Sequence, residues 1–459
     1  MEKKEGFVRV TRIAKRRFRV VRETPWGVPL VIEREVDNAI ATVVAEEKSK
    51  GELSFKRNRV YTLEGLCKLL IMAALQGIGL KHEIALFGNN VEGQAYTKQN
   101  LEYRLNTFPL VVLWAIFRYL CNGFQNNLWA RGKHPVVSKR LRKKFTDIVA
   151  VDGTTLDQMR RTPKVKKEKD KRMKECNSYK VLSGGHLLVM ISLATQMIRN
   201  AVYHADAVVN DTNFTKELAS WIQRGSLVIM DRGFYSYKLF MKIKEQRADF
   251  IIPFRKGTRI LNQIPSKTTP CYSESFVDIG IKPNLPFQLR MIEYKDFPKR
   301  GNKTGTRVLL VSVLDTKKLT AEEIIRCYDQ RWGIEKCFSQ LKNPLGLSQL
   351  WSSKLEHIEI QVLVTMIAYL LYNRFRITIA NELEAPVQDV SLVATKQRLK
   401  SLSVKEDPQT ITGWLSLFEK VRKLCRSLRV LLVENSKAVR ELQKQKEEYF
   451  KALSHQQAA

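Results

Sequence analysis

Acidic side chains are in short supply in this 459-residue chain: 46 Asp and Glu stand against 79 Lys and Arg, a formal net charge of +33. That imbalance points to a polyanionic partner, nucleic acid ahead of an anionic membrane surface. No run of 18 apolar residues occurs, which argues against a transmembrane span. The opening MEKKEGFVRV has no apolar stretch of the signal-peptide kind. The seven cysteines form no CxxC pair, and most lie in apolar helical contexts, where Cys acts as a small hydrophobe. Disulfides and zinc are therefore not expected, and the compartment reads as reducing. The six histidines contain no HxxxH pair, so a histidine metal site is not expected either. No internal repeat is found.

Apolar residues make up 44% of the chain, enough for a globular protein of two to four domains. Residues 1–57 read as a basic arm. Residues 58–145 read as a helical DNA-binding domain, with helices over TLEGLCKLLIMAALQ, KHEIALFGN, TKQNLEYRLNTF and Pro109–Asn127. Thr97 suits an N-cap, and the short helix, Gly turn, short helix order resembles a helix-turn-helix unit. The run Lys139, Arg140, Leu141, Arg142, Lys143, Lys144 is a candidate phosphate-contacting surface.

From residue 146 the pattern becomes α/β. FTDIVAVD and SLVIMD read as apolar strands that end in Asp152 and Asp231. HLLVMISLA and MIRNAVYHA read as a hairpin, and DFIIPF as a further strand, with helices over Phe214–Gln223 and Tyr237–Gln246. This order predicts a mixed sheet with flanking helices. Residues 257–315 read as a β-rich insertion, so the α/β domain comprises 146–256 and 316–383. Residues 384–459 read as a helical, basic region, where Leu415, Leu417, Phe418, Val421 and Leu424 form an apolar stripe suited to dimerisation.

The segment TAEEIIRCYDQRWGIEKCFSQLK, Thr320–Lys342, reads as one helix. At 100° per residue, Ile324, Ile325, Cys327, Trp332 and Phe338 face a core, and Glu322, Arg326, Asp329, Lys336 and Gln340 face solvent. Tyr328, Arg331, Glu335 and Lys342 fall on the inward side, in a stripe about 60° wide. Inward charges of both signs need compensation and mark a candidate site for metal and phosphate. Strand-end aspartates sit where α/β folds build their sites. Asp152, Asp231 and Glu335 offer hard oxygen donors that suit two Mg2+ or Mn2+ ions better than zinc. Their carboxylates are expected to converge.

Tyr328, Arg331, Glu335 and Lys342 follow the spacing Y-x2-R-x3-E-x6-K. This resembles the YREK signature of a group of bacterial insertion-sequence transposases with a DDE catalytic core. VAVDGTTL and VIMDRGF also look like that family's two aspartate motifs. The resemblance implies an RNase H-like catalytic core interrupted by the β-rich insertion, and cut-and-paste DNA transposition by two-metal-ion phosphodiester hydrolysis and strand transfer. It implies Asp152, Asp231 and Glu335 as the catalytic, metal-binding triad. Tyr328, Arg331 and Lys342 would hold phosphates, with Trp332 and Arg232 as further DNA contacts. It also implies double-stranded DNA partners (terminal inverted repeats and target), a homodimer on DNA, and a cytoplasmic, nucleoid-associated location in bacteria. Some relatives carry a tryptophan in the insertion that holds a flipped base. None occurs here between Asp231 and Trp332, so Tyr272, Tyr294, Phe276, Phe287 and Phe297 are the aromatic substitutes. Two other readings stand beside this one: a metal-dependent nuclease or junction resolvase of the same fold, and a domesticated DNA-binding protein without catalysis.

Overall fold

The computed structural model describes residues 30–51, 61–92, 96–131, 137–156, 159–161, 180–182, 184–206, 209–280, 287–295, 305–383 and 390–401, together with Trp26, Val28, Val387 and Glu448. Helices α1 (Leu30–Ser49), α2 (Leu63–Gln76), α3 (Lys81–Glu92), α4 (Lys98–Asn106), α5 (Leu110–Arg131) and α6 (Lys139–Lys144) come first. Strands β1 (Ile148–Thr155), β2 (Met159–Arg161), β3 (Lys180–Leu182), β4 (His186–Ser192) and β5 (Ile198–His204) follow. Next come α7 (Thr215–Trp221), β6 (Leu227–Met230), α8 (Tyr237–Glu245) and β7 (Asp249–Pro253). Four more strands are β8 (Ile260–Thr268), β9 (Tyr272–Ile279), β10 (Phe287–Lys295) and β11 (Thr306–Val311). Helices α9 (Ala321–Asp329), α10 (Trp332–Lys342), α11 (Leu355–Leu383) and α12 (Leu392–Ser401) complete the described fold.

Nine strands form one sheet in the order β5-β4-β1-β6-β7-β11-β10-β9-β8. β1, β6 and β7 are parallel, and the strands outside them pair antiparallel. The fold is thus a mixed α/β architecture, as the strand order predicts. Strands β8 to β11, expected as an insertion, continue this same sheet through the β7–β11 pairing. Period-two alternation splits the core in two. Ile148, Ala150, Leu227 and Ile229 point to the face packed by α1–α5 and α9–α12. Val149, Val151, Val228 and Met230 point to the face covered by α7 and α8.

The helical layer forms for local reasons. The Thr62 hydroxyl accepts from the Gly65 N–H at 2.9 Å, and the Thr97 hydroxyl accepts from the Asn100 N–H at 3.1 Å, capping α2 and α4. Gly77 closes α2 in the left-handed conformation, φ 74°, which a residue with a Cβ adopts at a cost, and α3 leaves α2 at 110°. α1 lies inside the stretch expected to be a basic arm, yet Ile32, Val36, Ala39, Ile40, Val43 and Val44 are buried. The stretch Leu355–Ile377 of α11 is long and apolar enough by composition to cross a bilayer, against the expectation from run length. In the fold, 83% of that window is buried in the protein, so its apolarity serves the core. The residue 415–424 stripe lies outside the described residues.

Two buried arginines tie the layers together. Arg290 on β10 donates to Glu274 at 2.7 Å and to the carbonyls of Val313 at 3.2 Å and Leu319 at 2.7 Å, which anchors the chain entering α9 to the outer strands. Arg376 on α11 donates to Gln340 of α10 at 2.9 Å and to the carbonyls of Val387 and Val390 at 2.9 and 3.0 Å. Gln340 is therefore engaged in packing, not solvated as its helix-wheel position suggests.

His357 opens α11 with Nε2 2.9 Å from Asn106 Oδ1, beside Lys354 on the same oxygen. Burial first, then the charges of Lys81 and Lys354, push its imidazole from 6.5 down to about 4, against Glu102 and Glu356. The fold keeps it neutral while the unfolded chain takes up a proton near its ordinary value. Stability from this source is full above 6.5 and is lost as pH falls from there toward about 4. His357→Gln is expected to flatten the decline of the urea unfolding midpoint across that interval; an unchanged decline would assign it to other groups.

Candidate active site

The β1–β6 register positions the first two carboxylates. Ile148, Val149, Ala150 and Val151 pair with Leu227, Val228, Ile229 and Met230, so Asp152 and Asp231 come next, side by side on strands about 4.8 Å apart. Both follow the alternation onto the face that carries α9–α11. Asp231 ends its strand as expected. Asp152 does not, because antiparallel pairing with β4 carries β1 on to Thr155. The Gly153 N–H donates to Asp152 Oδ1 at 2.9 Å.

The expected single helix is two. A capping box starts α9: the Glu323 N–H donates to the Thr320 hydroxyl at 3.3 Å, and the Thr320 N–H to the Glu323 carboxylate at 3.1 Å. At Gln330–Arg331 the ladder tightens into i→i+3 bonds, from Arg331 N–H to Tyr328 O at 3.1 Å and from Gly333 N–H to Gln330 O at 3.0 Å. Ile324, Ile325, Cys327, Tyr328 and Phe338 are buried as expected. Trp332, expected in the core, is 45% exposed; the tightened turn rotates it outward. Glu322 accepts from the Tyr272 hydroxyl at 2.9 Å.

Arg331 occupies the centre. Its Nη1 donates to Asp152 Oδ2 at 3.1 Å and its Nη2 to Glu335 Oε1 at 2.8 Å. The guanidinium lies 5.9 Å from the Tyr328 ring centroid, and Arg307 lies 5.4 Å from the same ring. At the far end of α10, Lys342 Nζ donates to Thr155 O at 2.9 Å. Arg331 and Lys342 thus reach β1 at Asp152 and Thr155, while Glu335 and Tyr328 stand beside the Arg331 guanidinium.

Burial pushes the Asp152 carboxyl up to about 6, against the pull of Arg331 and the Gly153 N–H, with Asp231 and Asp211 adding to the rise. Burial also raises the Tyr328 phenol. Arg331 is held above its ordinary value: burial opposes its charge, and Tyr328, Asp231, Asp152 and Glu335 outweigh it. Among the described residues no three His, Cys, Asp or Glu side chains stand close enough together to hold one ion. The expected convergence is thus not reached, and the guanidinium lies between Asp152 and Glu335 instead. The donor chemistry still suits a hard cation: all the groups are carboxylates, and a nearby dication would favour the charged form of Asp152 that burial opposes.

The other sequence candidates lie apart from this cluster. Arg232 is exposed directly after Asp231. In α6, Arg140 pairs with Glu323 and donates to Lys317 O, and Lys144 donates to the same carbonyl at 2.5 Å. These two bind the loop before α9. Lys143 is exposed and Arg142 half-buried; the side chain of Lys139 lies outside the described residues. Tyr272 and Tyr294 are buried and Phe287 packs near Phe240 and Phe250, which leaves Phe276 half-buried; Phe297 is outside the described residues. The sequence reading missed Asp211 and His186, 3.1 Å apart behind β1. Asp211 stands in VVNDTNF with no apolar strand before it to flag it.

Gly333 lets α10 approach the β4–β5 turn: a Cβ there would lie 2.5 Å from Gln196 Oε1. Gln196 is itself buried and held at φ 56°. Gly333→Ala is expected to cost about 1–3 kcal/mol in urea unfolding through overpacking, and a loss below about 0.5 kcal/mol would mean that Gln196 simply moves aside.

No curated protein matches the chain. Among solved structures, it is similar to one titled "Cryo-EM structure of piggyBac transposase synaptic complex with hairpin DNA", with 12% identity over 87% of this chain and 85% of that one and a TM-score of 0.38. So loose a likeness carries no argument about the site. Residues 143–371 match the family model described as the transposase DDE domain, and this segment spans β1, β6, α9 and α10.

Proposed function

We propose that the chain is a cut-and-paste DNA transposase of the YREK group, with an RNase H-like catalytic core that cleaves and joins phosphodiester bonds at the ends of its element. The observation that carries this reading is the Arg331 bridge between Asp152 and Glu335, beside Asp231, inside the segment that matches the DDE domain. In this reading Asp152, Asp231 and Glu335 hold two Mg2+ or Mn2+ ions. Bound there, such ions supply a nucleophile from water or a 3′-hydroxyl and stabilise the leaving oxygen.

The chain's own residues do the rest. Arg331 presents a planar fork that can clamp a phosphate bidentately, and Tyr328 stacks near it to fix its direction. Lys342 offers a point charge about three strand residues along β1, a span of roughly 10 Å, which suits the next phosphates of one strand. The exposed Trp332 adjoins this track and offers a flat apolar surface to a base. A net charge of +33 draws the duplex in and makes binding salt-dependent. Two ends must be cut together if the host chromosome is not to be left broken, so a homodimer on paired ends completes the proposal.

Glu335→Gln and Asp231→Asn each keep shape and remove a charged oxygen. Both are expected to lower strand cleavage by roughly a hundredfold or more in Mg2+ while leaving duplex affinity nearly unchanged, since affinity rests on Lys and Arg contacts to phosphate. Cleavage at the wild-type rate by either variant would remove that residue from the catalytic set. Strand transfer with the element's inverted repeats separates a transposase from a nuclease of the same fold, because a nuclease gives cut ends and no joined product.

A further inference from the structure

A fourth carboxylate bears on the two strand aspartates from behind. Asp211 opens a short 3-10 turn, Asp211–Phe214, after β5. It lies on the sheet face opposite α10, where Gly153 follows Val149 and Val151 and where His186 precedes Leu188 and Met190. His186 is 7% exposed. Its Nε2 is 3.1 Å from Asp211 Oδ1, and its ring stacks on Phe214 at 5.7 Å.

The two Asp211 oxygens fill spaces that two glycines leave open. A Cβ on Gly153 would lie 2.5 Å from Asp211 Oδ1 and 2.3 Å from His186 Nε2. A Cβ on Gly233 would lie 2.9 Å from Asp211 Oδ2. Gly153 directly follows Asp152 and donates the N–H that orients its carboxylate, at 2.9 Å. Gly233 lies in the turn that follows Asp231, closed by the Phe234 N–H on Asp231 O at 3.1 Å. One carboxylate therefore stands close behind two glycines that follow the aspartates.

We propose that Asp211, held by His186, is a positioning residue that sets the spacing and direction of Asp152 and Asp231 by bracing Gly153 and Gly233. The proposal rests on the reading of those two aspartates as metal ligands. Charge alone does not account for this arrangement, because Asp211 works against the ionised form of its neighbour Asp152. Shape does account for it: the brace needs a planar, two-pronged group at that point, and Asn supplies the same outline as Asp.

The test is Mn2+ binding to the full chain, followed by electron paramagnetic resonance, with thermal unfolding on the same samples. Asp211→Ala is expected to weaken Mn2+ binding about tenfold, the range for groups that orient metal ligands, and Asp211→Asn to stay within about threefold of wild type. Gly233→Ala, which keeps Asp211 but drives a methyl against it, is expected to weaken binding as well. The double variant should bind no more weakly than Asp211→Ala alone, because the trimmed side chain leaves room for the methyl. If Asp211→Ala fails to fold, Gly233→Ala and Asp211→Asn decide: wild-type binding by the first, or tenfold loss by the second, overturns the positioning role. Wild-type binding by Asp211→Ala, with binding lost in Asp152→Asn, overturns this inference alone. Undiminished binding by Asp152→Asn overturns the metal reading and this inference with it.

Discussion

The parallel register between β1 and β6 is the constraint from which the rest of the site follows. It sets two aspartates on adjacent strands, pointing to one face, at a separation fixed by backbone hydrogen bonds. Two carboxylates so placed repel, and burial makes the repulsion costly. The fold answers with a guanidinium: α10 is delivered so that Arg331 reaches Asp152 while its other nitrogen holds Glu335 one helical turn away. That delivery depends on the outer strands, since Arg290 fixes the chain entering α9, and on Gly333, which allows α10 to approach the β4–β5 turn.

Much of this was legible in the sequence because burial and periodicity coincide. Apolar runs such as HLLVMISLA and SLVIMD gave strands within a residue or two of those found. Of the inward stripe, Tyr328 is buried, and Arg331 and Lys342 reach β1 at Asp152 and Thr155. The failures have physical causes. Trp332 faces out because one turn tightens at Gln330–Arg331, and a helix wheel assumes constant pitch. β1 outruns Asp152 because strand length is set by its antiparallel partner β4, a tertiary fact. Residues 257–315 are β-rich as read, but their short alternating patterns do not tell which sheet they join; the pairing of β11 with β7 places β8 to β11 in the central sheet. Asp211 was invisible for a similar reason: its meaning comes from two glycines far away in sequence, Gly153 and Gly233.

The polar groups inside this protein are concentrated at joints between layers. Arg290 joins strand β10 to the α9 entrance, and Arg376 joins α10, α11 and the segment before α12. Asp147 takes hydrogen bonds from Ser192 Oγ and the Ile148 N–H at 2.9 and 2.8 Å and pairs with Arg199, which clamps the start of β1 to β4 and β5. Each such group gives up hydration and recovers it only in one geometry. They therefore specify how layers stack more than they add to net stability.

The apolarity of α11 bears on how the chain is made. A segment that by composition suits a lipid bilayer is synthesised after the helices that bury it. α2 and α5 have left the ribosome before residue 355 appears, and the Leu75 carbonyl of α2 accepts the Tyr372 hydroxyl at 2.8 Å while the Trp114 indole of α5 donates to Glu359 at 2.8 Å. The chain thus provides a protein receptor for α11 before α11 itself emerges, in keeping with folding from the N-terminus during synthesis. Reversing that order by circular permutation would present a long greasy helix to chaperones and membranes with its receptor still unmade.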